Sequence, residues 1–202
     1  MDFFFQIAVL IMSIVIHEVS HGYAARALGD PTAEYEGRLT LNPLKHLDPF
    51  GSILLPILSY TLGGFIIGWA KPVPYNPYNL RPGRWSEAIV AGAGPLSNLS
   101  IAILFGLVVR FASGLVNPAF LQITTTIVLI NIVLAVFNLT PIPPLDGSKL
   151  LFALFPSKMY RLRNTFENYG FGLVIIFIFF FWSLVSPLVS LLYTAITGLS
   201  LS

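Results

Sequence analysis

The chain has 202 residues, 55% of them hydrophobic and 10% charged, with a formal net charge of +2 and a mean hydropathy of +0.80. Ordinary soluble domains carry roughly 25% charged residues, so the composition excludes a soluble domain, and a charge this close to neutrality gives no reason to expect nucleic acid as a partner. Cysteine is absent, which excludes disulfides and thiolate ligands and leaves His, Asp and Glu as the only strong metal ligands.

Four apolar runs are long enough for the ~20 helical residues that cross a hydrocarbon core: 3–28, 87–111, 119–140 and 168–195. No Lys or Arg precedes Arg26, so the first run is expected to be a retained anchor rather than a cleaved leader. Residues 49–70 are also apolar but contain Pro56. Their second half leads into GGFIIGWAKPVPYNP, whose β-branched and aromatic residues between Gly and Pro predict a strand over 65–75. The expected fold is an all-α polytopic membrane protein with about four full transmembrane helices, a re-entrant helix and short membrane-associated β-strands. Residues 1–202 are expected to form a single membrane-embedded domain.

Within the first run lies SIVIHEVSHGY, residues 13–23. Helical positions four apart differ by about 40° in azimuth, so His17 and His21 stack on one face, with Glu18 about 100° round from His17. Two imidazoles so placed can share one Zn2+, and Glu18 can then act as general base toward a zinc-bound water, the H-E-x-x-H arrangement. The alternative is that these are polar residues facing a bundle interior, but ionisable groups inside a span cost several kcal/mol unless they serve a site. Two imidazoles leave zinc short of ligands. In NLTPIPPLDG, residues 138–147, an apolar helix is broken by Pro141, Pro143 and Pro144 and followed at once by Asp146. Irregular backbone at membrane depth lines cavities, and a carboxylate there needs a cationic partner. Asp146 is therefore the expected third ligand, with capping of the following helix as its other possible role.

These stretches, HEVSHG (17–22), AGAGPLSN (91–98) and NLTPIPPLDG (138–147), occur in this order over most of the chain and resemble the site-2 protease family of zinc intramembrane metalloproteases. GRLTLNPLKHLDPFG, residues 37–51, is similar to the family's compact form, without PDZ or CBS domain. The resemblance implies that His17, His21 and Asp146 bind one zinc per chain and that Glu18 is the base. The implied reaction is hydrolysis of a peptide bond in or near the transmembrane segment of a single-span membrane-protein substrate. An inferred strand at 65–75 can hold that substrate extended by β-augmentation.

Shared ligation makes a topological demand. His17 and His21 lie toward the C-terminal end of the first helix, and Asp146 follows the helix over 119–140, so both helices must run in the same direction. Residues 49–70 must then dip into the membrane and return. This arrangement places ten of the eleven Lys and Arg residues on one side, leaving Arg110 alone on the other. The positive-inside rule makes the ligand-bearing face cytoplasmic in a multi-pass protein of the cell membrane, with both termini outside.

Three further residues are candidates for substrate or oxyanion contact. Asn98 and Asn138 can donate to a developing oxyanion or to substrate backbone, or can satisfy interhelical polar groups. His46 can approach the zinc or substrate, or bond to Asp48 within its own loop. Gly92, Gly94 and Pro95 are read as allowing close helix packing. Two rivals to the protease share its ligands: a metal transporter, for which three histidines offer few sites along a path, and a catalytically silent zinc-binding scaffold, which has no need of Glu18.

Overall fold

The structure, a computed structural model, describes residues 3–54, 58, 61, 70–112, 114–155, 172, 177 and 183–201. Among the described residues, three helices are long and apolar enough to cross a membrane: α1 (Phe3–Ala27), α3 (Ser86–Ala112) and α4 (Pro118–Asn138). Between the first two lies the one-turn α2 (Thr32–Tyr35). The short α5 (Asp146–Leu154) follows α4, and α6 (Ser183–Thr197) is a shorter apolar helix near the end of the chain. Of the fourth span expected over 168–195, the described residues contain the part in α6, which alone is too short to cross a membrane; the earlier part lies mostly outside the described residues.

Local sequence sets these ends. Gly29, at φ 106°, takes the left-handed conformation that closes α1 and that side chains resist. Asn117 caps α4 by accepting a hydrogen bond from the Phe120 amide at 2.8 Å, with Pro118 at the first helical position, where its missing N–H costs nothing.

Helix α3 is central and contacts α1, α4 and α5. Its buried residues are mostly small: Ala88, Ala91, Gly92, Gly94, Pro95, Ala102 and Gly106 among them. Small residues let backbones approach closely where lipid supplies no hydrophobic drive between helices. Ala102 joins Val128, Ile132 and Val136 of α4 and Val185, Val189 and Tyr193 of α6 in the main apolar cluster. At Gly106 a β-carbon would run into Ile196 of α6, so that crossing requires glycine.

Interhelical polar pairs fix the directions. Along α1 from Ser13 to His21, the partner positions on α3 recede from Asn98 to Val90, so α1 and α3 are antiparallel. Ser13 pairs with Asn131 of α4, while His17 meets Asp146 beyond the end of that helix, so α1 and α4 are parallel. The C-terminal end of α1 and the N-terminal end of α3 therefore lie at the same end of the bundle.

Of the expected re-entrant segment, Pro49–Leu54 forms a π-helix, and most of the remainder lies outside the described residues. None of the described residues forms a β-strand. In the strand expected at 65–75, residues 65–69 lie outside the described set, and 70–75 have no regular secondary structure. The reason is local. Pro72 and Pro74 remove ladder donors, and the Lys71 and Val73 amides are spent on the His46 carbonyl and the Glu18 carboxylate.

Candidate metal centre

His17 and His21 lie one turn apart on the face of α1 turned toward α3, and both are buried. Each ring is oriented through Nδ1. His17 Nδ1 donates to Asn98 Oδ1 at 2.6 Å, and His21 Nδ1 donates to the Val90 carbonyl at 2.7 Å. A neutral imidazole that donates from Nδ1 keeps Nε2 bare, and such outer partners both set the tautomer and make the ring a better ligand. Asn98 is itself fixed: its Nδ2 donates to the Ser13 carbonyl at 3.2 Å and to Asn131 Oδ1 at 2.8 Å. Asn131 in turn donates to Ser13 Oγ at 2.9 Å. This fully bonded polar knot joins α1, α3 and α4 at the depth of the histidines.

Asp146 completes the set. The N-cap of α5 is Leu145, which makes no side-chain cap bond. The Asp146 carboxylate turns instead to the histidines, with Oδ2 at 3.1 Å from His17 Nε2 and 3.2 Å from His21 Nε2. Its place is fixed by Gly147, where a β-carbon would collide with the backbone carbonyls of Leu139 and Thr140. Only glycine lets the proline-broken turn fold back so tightly.

The two Nε2 atoms lie 3.0 Å apart. Two lone-pair nitrogens and a carboxylate oxygen converging at such distances repel one another unless a cation sits among them. Ligand atoms about 2.0–2.1 Å from a tetrahedral ion lie about 3.3 Å from each other, so the three donors are within a few tenths of an ångström of zinc geometry. Two imidazoles and a carboxylate, with a fourth position open, are a donor set of catalytic zinc sites. Gly94 makes the room: a β-carbon there would lie 2.5 Å from both Nε2 atoms.

Glu18 is partly buried and faces the segment that carries Val73. Its Oε2 accepts a hydrogen bond from the Val73 amide at 2.8 Å. Asn138 donates to the Leu134 carbonyl of its own helix at 3.0 Å. His46 is buried in its loop, donating from Nε2 to the Thr40 carbonyl at 2.8 Å, and stands outside the cluster formed by His17, His21 and Asp146. Asn98, completely buried, spends its side-chain groups on the knot.

Sequence reasoning missed the parts played by Val90, Gly94, Asn131 and Val73. Asn131 did carry a signal, as a polar residue midway along an apolar span. Val90 and Val73 act through backbone groups that no residue type advertises.

The sequence profile of Peptidase family M50 matches residues 5–126 and 112–181. The chain is similar to YwhC of Bacillus subtilis (strain 168), 39% identical over 191 residues that cover 91% of this chain and 81% of that protein. It is 34% identical over 183 residues to Rip2 of Mycolicibacterium smegmatis, covering 86% of this chain and 66% of that protein. Zinc metalloprotease MJ0392 of Methanocaldococcus jannaschii is 27% identical over 85% of this chain, which spans only 41% of MJ0392. The words zinc metalloprotease stand in all three names. No solved structure matches the chain. Profile and relatives together cover nearly its whole length, and the chain belongs to Peptidase family M50.

Proposed function

We propose that this protein is a zinc-dependent intramembrane endopeptidase, multi-pass in the cell membrane, that cleaves single-span membrane-protein substrates in or near their transmembrane segments. The observation that carries the reading is the convergence of His17, His21 and Asp146, the last 129 residues from the first in sequence, beside a glutamate at the second position of H-E-x-x-H. His17, His21 and Asp146 hold the zinc. When bound, the ion supplies Lewis acidity, polarising a scissile carbonyl and acidifying water.

The protein's own groups do the rest. Asn98 and the Val90 carbonyl hold the imidazoles in the tautomer that presents Nε2. Glu18 takes the proton from the attacking water and returns it to the leaving amine. The substrate has to be partly unwound first, because helical carbonyls are already hydrogen-bonded. The charge asymmetry of the loops supports a cytoplasmic ligand-bearing face.

The test is mass spectrometry of a single-span substrate co-expressed with wild type or with Glu18→Gln. Wild type is expected to cleave at one site, and Glu18→Gln to retain zinc while turnover falls about 100-fold or more. Cleavage that survives the substitution would remove Glu18 from the mechanism. Loss of zinc in parallel with activity would place it among the ligands. Absence of cleavage by wild type would favour a silent scaffold or a transporter.

A further inference from the structure

The segment Lys71–Asn76 crosses the face of α1 that carries Glu18 and Gly22 and is held at both ends and at its middle. The Lys71 amide donates to the His46 carbonyl at 2.8 Å. The buried Arg38 guanidinium donates to the carbonyls of Lys71, at 2.8 Å, and Pro72, at 3.2 Å. At the far end the Asn76 amide donates to Asp30 Oδ2 at 2.7 Å. Between these anchors the Val73 amide donates to Glu18 Oε2 at 2.8 Å.

The fit is two-pronged. Glu18 and Gly22 are four residues apart and share a face of α1. The Val73 amide meets the first. Its buried side chain fills the notch left by the second, where a β-carbon would stand 2.8 Å from Val73 Cγ1. Pro72 and Pro74 stiffen the segment: each fixes its own φ, and each biases the residue before it, Lys71 and Val73, toward extended backbone. The N–H is thus aimed before any substrate arrives. The second carboxylate oxygen, Oε1, has no hydrogen-bond partner among the described residues.

We propose that the backbone N–H of Val73 is the positioning group of Glu18: it ties Oε2 to the Lys71–Asn76 strap and leaves Oε1 as the oxygen that accepts and returns the proton. This rests on the reading of Glu18 as general base. The strap, anchored by Arg38, His46 and Asp30, then couples the loops at this end of the bundle to the rotamer of the base. Misplacement of a catalytic group by about 1 Å costs about 100-fold in rate, so a free Glu18 carboxylate would turn over far more slowly with the zinc site intact.

Pro72–Val73 is the only Pro–Val bond in the chain. Protein labelled with carbonyl-13C proline and 15N valine therefore gives a single amide cross-peak, that of Val73. The peak is expected downfield and slow to exchange, as for a donor to a carboxylate, and to move upfield in Glu18→Ala. A second variant replaces Val73 by its α-hydroxy acid, which removes the N–H and keeps the side chain. With zinc content unchanged and KM little altered, kcat is expected to fall about 10- to 100-fold. Val73→Ala keeps the N–H and is expected to lose much less. A Val73 peak indifferent to Glu18→Ala, or wild-type kcat in the ester variant, would overturn the proposal. So would a loss in Val73→Ala as large as in the ester, which would assign the effect to side-chain packing. Absence of cleavage by wild type would instead remove the proteolytic reading, and the resonance alone would still decide whether the strap holds Glu18.

Discussion

Gly94 and Gly92 lie two residues apart in one motif and do different work. At Gly94 a β-carbon would lie 2.5 Å from the Nε2 atoms of both histidines, whereas at Gly92 the nearest atom is Leu150 Cδ2 at 3.9 Å, an ordinary contact. Gly94→Ala is therefore expected to displace the imidazoles and reduce zinc stoichiometry and proteolysis together, while Gly92→Ala retains both; metal analysis of the two purified variants checks this. Equal zinc in both would mean that the ligands tolerate a methyl group in their midst. Sequence alone could not separate the two positions, because it does not say which face of α3 meets α1. The histidines and Asp146 were legible for the opposite reason: a four-residue spacing is one helical turn wherever it occurs, and an aspartate after three prolines in an apolar run needs a cationic partner. The Val73 N–H belongs to the backbone and left no trace in residue type.

At the scale of elements, the connection from α1 to α3 is secured by Asp30. This completely buried carboxylate accepts bonds from the Thr32 amide and hydroxyl, the Asn76 amide and Asn79 Nδ2. Burial alone would raise its pKa, but these donors outweigh burial and hold the carboxyl below its usual range. A depressed pKa means that the native state binds this proton less readily than the unfolded chain does. The contribution to stability is thus full above about pH 4 and is lost as pH falls through the native value. Asp30→Asn is expected to melt at a lower temperature than wild type near neutrality, with the gap closing as the solution is made strongly acidic, measured by thermal unfolding in detergent. A gap that does not vary with pH would mean that the carboxylate's charge is not what holds the strap. Here the sequence suggested a strand over 65–75, and its β-branched and aromatic residues are real. Over the described part, 70–75, Pro72 and Pro74 strip donors and leave a strap tied to α1 and its following loops.

For the molecule as a whole, the parallel course of α1 and α4, with α3 antiparallel to both, brings His17 and His21 beside Asp146, 129 residues after His17. The same geometry sets the topology across the bilayer. Tyr78, 96% exposed in the connection before α3, and Leu115, 88% exposed in the turn after it, sit at opposite ends of the bundle. Because the chain has no cysteine, each can be replaced singly by Cys and probed with an impermeant thiol reagent. Leu115→Cys is expected to react in intact cells and Tyr78→Cys only after permeabilisation. The reverse pattern would invert the orientation, and external labelling of both would break the antiparallel pairing. The parallel course of α1 and α4 was legible from the ligands, because only then could the prolines of 141–144 deliver Asp146 to the histidines.

The central claim is that His17, His21 and Asp146 form one zinc centre, and zinc K-edge X-ray absorption combined with metal analysis of the purified protein tests it most directly. Wild type is expected to carry about one zinc per chain, with two imidazole nitrogens and a carboxylate oxygen at about 2.0–2.2 Å, and Asp146→Ala to lose most of that metal. A wild-type protein that binds no zinc, or an Asp146→Ala variant with full occupancy and an unchanged spectrum, would contradict the account.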